Sequence, residues 1–280
     1  MPEHTLFHFV FLCQVLLVSF YFPRKLLNRM RYVFEAYPPS THPKLYPQPI
    51  EYYEKARRNF SIMNWCILAA GLLILGVLVG YSRSGEWDHV IAMWYVAVQF
   101  IPVMLLDRSL HNEFKLMRLL NSRTTRTAEL RPRRLLDYLS PAAIGLTAGT
   151  YLAFVLLVIY VRQFDFQWFG GYLNVAIVTI ADLLLVGIIF RMIYGKKPNP
   201  HQSSADRARH IETTARIFMF VSIAATTFIS LSIVLSAFDL RSFQPAAQSV
   251  YFQLLALISL QGYQVNKTNF DVYKEDPLAT

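Results

Sequence analysis

Apolar residues in this chain gather into seven runs, each near the length of about 20 residues that an α-helix needs to cross a hydrocarbon core. No other feature limits the accessible folds so strongly. The runs cover Leu6 to Pro23, Ser61 to Tyr81, His89 to Leu106, Pro141 to Val161, Gly171 to Met192, Arg216 to Phe238 and Ala246 to Tyr263. Gln248, Gln253 and Gln261 interrupt the last and make it the weakest. Inside lipid the backbone must satisfy its own polar groups, which leaves helices or a closed barrel, and runs of this length select helices. The expected fold is an all-α polytopic membrane bundle of about seven transmembrane helices, a single domain over residues 1–280. Composition agrees, with 54% of residues hydrophobic and only 16% charged.

The first run is expected to be a retained helix rather than a cleaved signal, because "MPEHTLFH" carries no Lys or Arg before it and no small-x-small site closes it. Its positive charge follows, in "PRKLLNRMR", which orients the N-terminus outward. Threading seven spans from there puts Arg24 to Arg58, Arg108 to Arg134, Arg191 to Arg216 and the C-terminal tail on one side, with 24 of the 27 Lys and Arg residues. Only Arg83, Arg162 and Arg241 fall on the other side. Seven spans therefore imply an N-out, C-in topology. The same asymmetry explains the net charge of +9 without nucleic acid, since the Arg-rich runs adjoin spans and lack interleaved aromatic platforms. Cys13 and Cys66 both fall within spans, so neither a disulfide framework nor a metal knuckle is expected.

The cytoplasmic connections carry their own pattern. "RKLLNRMRYVFEA" places Leu26, Leu27, Met30, Val33 and Phe34 on one helical stripe with basic residues opposite, the pattern of a helix lying in the interface against anionic lipid headgroups. The five prolines of "YPPSTHPKLYPQP" then exclude a helix and favour an extended spacer. "EYYEKARRNF" resumes a helix into the second span, and "DRSLHNEFKLMRLL" prolongs the third, with Leu110, Phe114 and Met117 on one face.

An offset of 168 aligns Leu184, Leu185, Val186 and Phe190 with Leu16, Leu17, Val18 and Phe22, and sets Asp182 on Gln14. Thinner matches join the sixth span to the second and the seventh to the third. Together they suggest a 3+1+3 parallel repeat, halves 6–120 and 171–275 joined by helix 141–161. That plan resembles the architecture of the SWEET sugar carriers, whose sites lie near the bilayer midplane between repeats. The resemblance is one of plan and carries no residue motif.

Asp182 is the one ionisable residue in "VTIADLLLVGIIF". A charged Asp at a helix centre costs about 2.5–3.5 kcal/mol on insertion scales, so it is expected either to face a watery cavity or to tie to polar side chains on other helices. The candidate substrate or proton pathway is Asp182 with Gln14, Gln99, Gln253 and Asn64, and the structural alternative is interhelical hydrogen bonding among the same groups. Near the outer face stand Glu3, His4 and His8, and Glu86, Asp88 and His89. His4 and His8 are one helical turn apart, which with His89 makes them weak metal candidates. No cofactor is implied. No HExxH, GxSxG, clustered His box or glycine-rich phosphate loop occurs, and His111, Glu113, His201, His210 and Glu212 read as a solvated surface.

The leading functional expectation is a transporter or channel for a small solute or ion. The alternative is a membrane sensor or assembly subunit whose basic cytoplasmic helices meet a protein partner or a second copy; an intramembrane enzyme is the minor one. Topology is testable directly. With Cys13 and Cys66 replaced, single cysteines at Ser84 and Phe169 should react with an impermeant thiol reagent from outside, and those at Ser122 and Ser204 only after permeabilisation. Reversed labelling of either pair would break the seven-span thread.

Overall fold

The structure, a computed structural model, describes residues 2–84, 90–121, 134–164, 170–260 and 268–274. Among them it is helical, with no strand. The helices are α1 (Pro2–Leu16), α2 (Phe22–Ala36), α3 (Ile50–Ser84), α4 (Val90–Leu120), α5 (Pro141–Val161), α6 (Tyr172–Tyr194), α7 (Ser204–Ala237) and α8 (Gln244–Leu260). Among the described residues, five helical runs are long and apolar enough to cross a membrane: His4–Ala36, Ile50–Gly80, Pro141–Val161, Tyr172–Tyr194 and Ser204–Ala237. Such a set marks an integral membrane protein. The expected third and seventh spans fall on α4 and α8, which do not reach that measure within the described residues.

α1 and α2 form one continuous helical run through a π-helical turn, Leu17–Tyr21, where the Phe22 amide donates back to the Leu17 carbonyl. Proline explains the widening. Pro23 has no amide to give the Ser19 carbonyl, and the preceding turn relaxes to the wider spacing. The basic helix expected to lie flat in the interface thus continues the first span and packs along α3.

In lipid no hydrophobic force draws helices together, so close packing and interhelical hydrogen bonds must hold them. Two helices act as hubs. α1 packs on α3 and α8, and α7 packs on α5, α6 and α8. Phe7, Phe11 and Val15 of α1 meet Ile67, Leu68 and Leu78 of α3, Tyr95 of α4 and Ala246 of α8. Around α7, Ile233 meets Phe154, Val158 and Val178, and nearer its start Ile211 and Ala215 meet Ile189, Ile193 and Leu139. Gly71 sets the approach of α3 to α4, because a Cβ there would lie on the Tyr95 hydroxyl.

One end of the bundle collects most of the connecting segments. Tyr37 stacks on Phe270 with ring centroids 4.0 Å apart, Asn199 Nδ2 donates to the Tyr273 hydroxyl at 2.6 Å, and the Asn269 amide donates to Asp206 at 3.2 Å. Arg118 donates to the Lys197 carbonyl. Arg207, buried beside them, donates to the Met192 and Gly195 carbonyls at 3.1 and 2.6 Å and so caps the last turn of α6. The segments 37–49, 195–204 and 269–274 and the end of α4 therefore meet. At the opposite end, the 3-10 turn Arg241–Phe243 touches α1.

Candidate functional site

Besides the end cluster around Arg207, two places among the described residues bear on function, and they differ in kind. The first lies in the core of α1, α4 and α8. Gln14 Nε2 donates to Gln99 Oε1 at 2.7 Å, and Gln99 Nε2 donates to Ser19 Oγ at 2.9 Å. The Tyr95 hydroxyl donates to the Ile67 carbonyl at 3.0 Å, so the Ser19 hydroxyl, 3.2 Å away, donates to Tyr95. Ser249 Oγ donates to Gln14 Oε1 at 2.6 Å, and Gln253 Nε2 reaches the Val10 carbonyl at 3.0 Å. Each donor in this chain ends on an acceptor, and the last acceptor is α3 backbone. Gln14 is 1% exposed and Gln99 3%. A network so enclosed, in which each of these side chains bonds to a neighbouring helix or turn, fastens helices.

Three of the five residues expected to share a site thus come together: Gln14, Gln99 and Gln253. Asn64 instead donates to the Phe60 carbonyl of its own helix at 2.7 Å. Asp182 stands on α6, which packs mainly on α7 and α5, on the inward stripe that includes Val178, Leu185 and Ile189. It makes no hydrogen bond or ion pair with the described residues. His4 and His8 lie on the first turns of α1, and His89 is outside the described residues. Among the described residues no three His, Cys, Asp or Glu side chains gather within reach of one metal ion.

The second place is a cavity of about 280 Å3 at the end where the connecting segments meet. It is near the low end of the range of about 300–1,000 Å3 usual for small-molecule sites. Leu26, Met30 and Val33 of α2 form one apolar wall, and Leu106 and Leu110 of α4 form another. Arg29, Glu54 and Arg57 also line it. The proline-rich segment closes it through Tyr46, whose ring meets Phe34 at 5.6 Å and Tyr53 at 5.3 Å, each edge to face. Proline suits this role, since a segment without helical hydrogen bonds can fold back and present one aromatic ring. The Tyr46 hydroxyl donates to the Tyr37 carbonyl at 2.8 Å, which joins the cavity wall to the Tyr37–Phe270 stack.

Glu113 lies in this cavity at 8% exposure. It sits on α4 beyond the apolar part of the helix, past Asp107 and Arg108. Burial pushes its carboxyl up to about 7, against a hydrogen bond from Ser109 that pulls it down. Ser109 in turn pairs with the Tyr52 hydroxyl at 2.9 Å. A carboxyl poised near neutrality can donate as an acid or accept as a carboxylate, and it sits among apolar walls, the composition typical of a small-molecule site.

The expectation that Glu113 belongs to a solvated surface is therefore corrected. A signal was present: Leu106, Leu110, Glu113 and Met117 follow at intervals of four, three and four, which places Glu113 on the stripe that packs inward. Tyr46 and the Tyr37–Phe270 stack had no periodic signal, because they bring irregular segments into contact, in the case of Tyr46 with Tyr53 of α3. Comparison with protein-family models, with curated proteins and with solved structures finds no match.

Proposed function

We propose that the chain is a seven-span membrane sensor, N-out and C-in, that binds a compact apolar molecule with one cationic or hydrogen-bonding head in the α2–α3–α4 cavity. The topology is supported by the meeting of segments 37–49, 195–204 and 269–274 at one end, since those segments lie on the side to which the charge arithmetic assigns 24 of 27 basic residues. The observation that carries the function is Glu113, buried in an apolar cavity and titrating near 7. Its ionised form favours a cation and its neutral form a hydrogen-bond acceptor, so the head of the ligand and the pH together set affinity. A ligand that displaces Tyr46 also pulls on Tyr37 and through it on Phe270, which carries occupancy to the C-terminal segment.

The test uses 1-adamantylamine, a compact cage with an amine that stays protonated near neutrality, and its neutral analogue 1-adamantanol, by equilibrium dialysis of the purified chain. With Glu113 titrating near 7, the ionised fraction rises about tenfold between pH 6 and pH 8, and amine affinity should rise with it. Glu113→Gln should flatten that dependence and leave adamantanol binding within about twofold. Amine binding that ignores both pH and Glu113→Gln would refute the assignment.

A transport function is favoured by one observation, that Asp182 lies on the inward stripe of α6 without a partner among the described residues. The order of packing, α1 on α3 on α4 and α6 on α7 on α8, also suits a parallel repeat. If Asp182 carries protons, Asp182→Asn should fold normally and abolish solute flux driven by a pH gradient in liposomes. Full flux in that variant would remove Asp182 from any pathway.

A further inference from the structure

The side of α2 turned away from the cavity borders a second depression. Two hollows of about 400 and 730 Å3 share Leu27, Arg31 and Ser61, and so form one groove between α2 and α3. Five of its seven ionisable lining side chains are Arg or Lys. Arg24 and Arg31 are seven residues apart, two helical turns, and so stand on one face of α2, with Asn28 between them. The groove also has a fixed depth relative to the apolar span. The Arg24 guanidinium lies 5.6 Å from the centre of the Phe20 ring, and Phe20 meets Trp65 edge to face at 6.0 Å. Trp65 is 60% exposed. An exposed Trp near the start of the apolar part of α3, with Arg57 and Arg58 in the preceding turns, is the arrangement found where hydrocarbon gives way to headgroups. The cation–ring contact also holds Arg24 in place before any ligand arrives.

We propose that this groove binds the headgroup of an anionic phospholipid, its phosphate between Arg24 and Arg31 and its acyl chains along Phe20, Leu27 and Trp65. Arg suits the role because its planar fork can donate two hydrogen bonds to one phosphate. Asn28 and Ser61 add neutral donors at the same level. The site rests on the membrane placement proposed above and lies across α2 from Glu113, while Glu54 and Arg57 of α3 line both hollows. An occupied headgroup would hold α2 against α3, so the composition of the leaflet would bear on the wall that the two sites share.

The experiment is native mass spectrometry of the full chain released from bilayers of equal phosphatidylglycerol and phosphatidylcholine. The wild type should retain phosphatidylglycerol in preference, and Arg24→Gln with Arg31→Gln should reduce that preference tenfold or more, at about one decade or less for each basic residue. Lys25→Gln with Lys115→Gln removes the same charge from the same end outside the groove, and should keep the preference. Arg31→Gln alone, at an exposed position, serves as the second variant if the double one does not fold. Excess inorganic phosphate in the buffer separates the two phosphate sources: lipid retained in its presence supports the proposal, and lipid replaced by phosphate overturns it. Equal loss in the Lys and Arg pairs would reduce the effect to bulk charge and also overturn it. Adamantylamine binding should survive in the Arg pair, so failure here is distinguishable from failure of the cavity.

Discussion

The hydrogen bond between the Gln14 and Gln99 side chains is the fastening on which the arrangement of α1, α4 and α8 depends. An amide left unpaired in hydrocarbon costs several kcal/mol, on the order of the whole net stability of a domain. Gln14 can avoid that cost only where Gln99 and Ser249 meet it together. The π-helical turn that Pro23 imposes joins the same network. It lies at Ser19, which accepts from Gln99 and passes the chain of donors on to Tyr95 and the Ile67 carbonyl. Gly71 lets that last contact form, because any larger residue would occupy the place of the Tyr95 hydroxyl.

From this fastening the position of the cavity follows. Once α1 is held against α3 and α4, the continuous run carries α2 alongside the same two helices beyond the apolar span. α2 has apolar residues on one face and arginines on the other. Its apolar face, with Leu26 and Met30, closes on α4 around Glu113, while Arg24 and Arg31 open onto the groove with α3. The Glu113 carboxyl is buried by the same packing that leaves the hollow beside it. Proline in the 37–49 segment prevents a helix there, which frees Tyr46 to fold back as a wall and Tyr37 to meet Phe270.

Much of this architecture was legible in the sequence. The apolar runs mark the helices, their flanking charge suggests the topology, and Gln14, Gln99 and Gln253 stand out as polar groups that require partners. Which partners they find was not legible, because hydrogen bonds between helices depend on rotation and tilt that a leucine-rich run leaves open. Asp182 and Gln14 coincide in the internal alignment, yet they stand on helices that pack in different parts of the bundle. Glu113 was legible in principle from its place between Leu110 and Met117, but its polar neighbours His111, Asn112 and Lys115 gave the helix the look of a solvated one. The Tyr37–Phe270 stack joins residues more than two hundred positions apart through irregular segments, and no period marks such a pair.

The buried amides of Gln14 and Gln99 fasten helices, and under the proposed function ligand chemistry belongs to the cavity at the end of the bundle. A double-mutant cycle on Gln14→Met and Gln99→Met, read by thermal unfolding of the purified chain, tests this account most directly. Each single change leaves the other amide unpaired and should destabilise, whereas the double change removes both and should cost less than the sum, with a coupling of about 1 kcal/mol. Adamantylamine binding should persist in every folded variant. Strictly additive costs, or single variants of unchanged stability that lose ligand binding, would contradict the account.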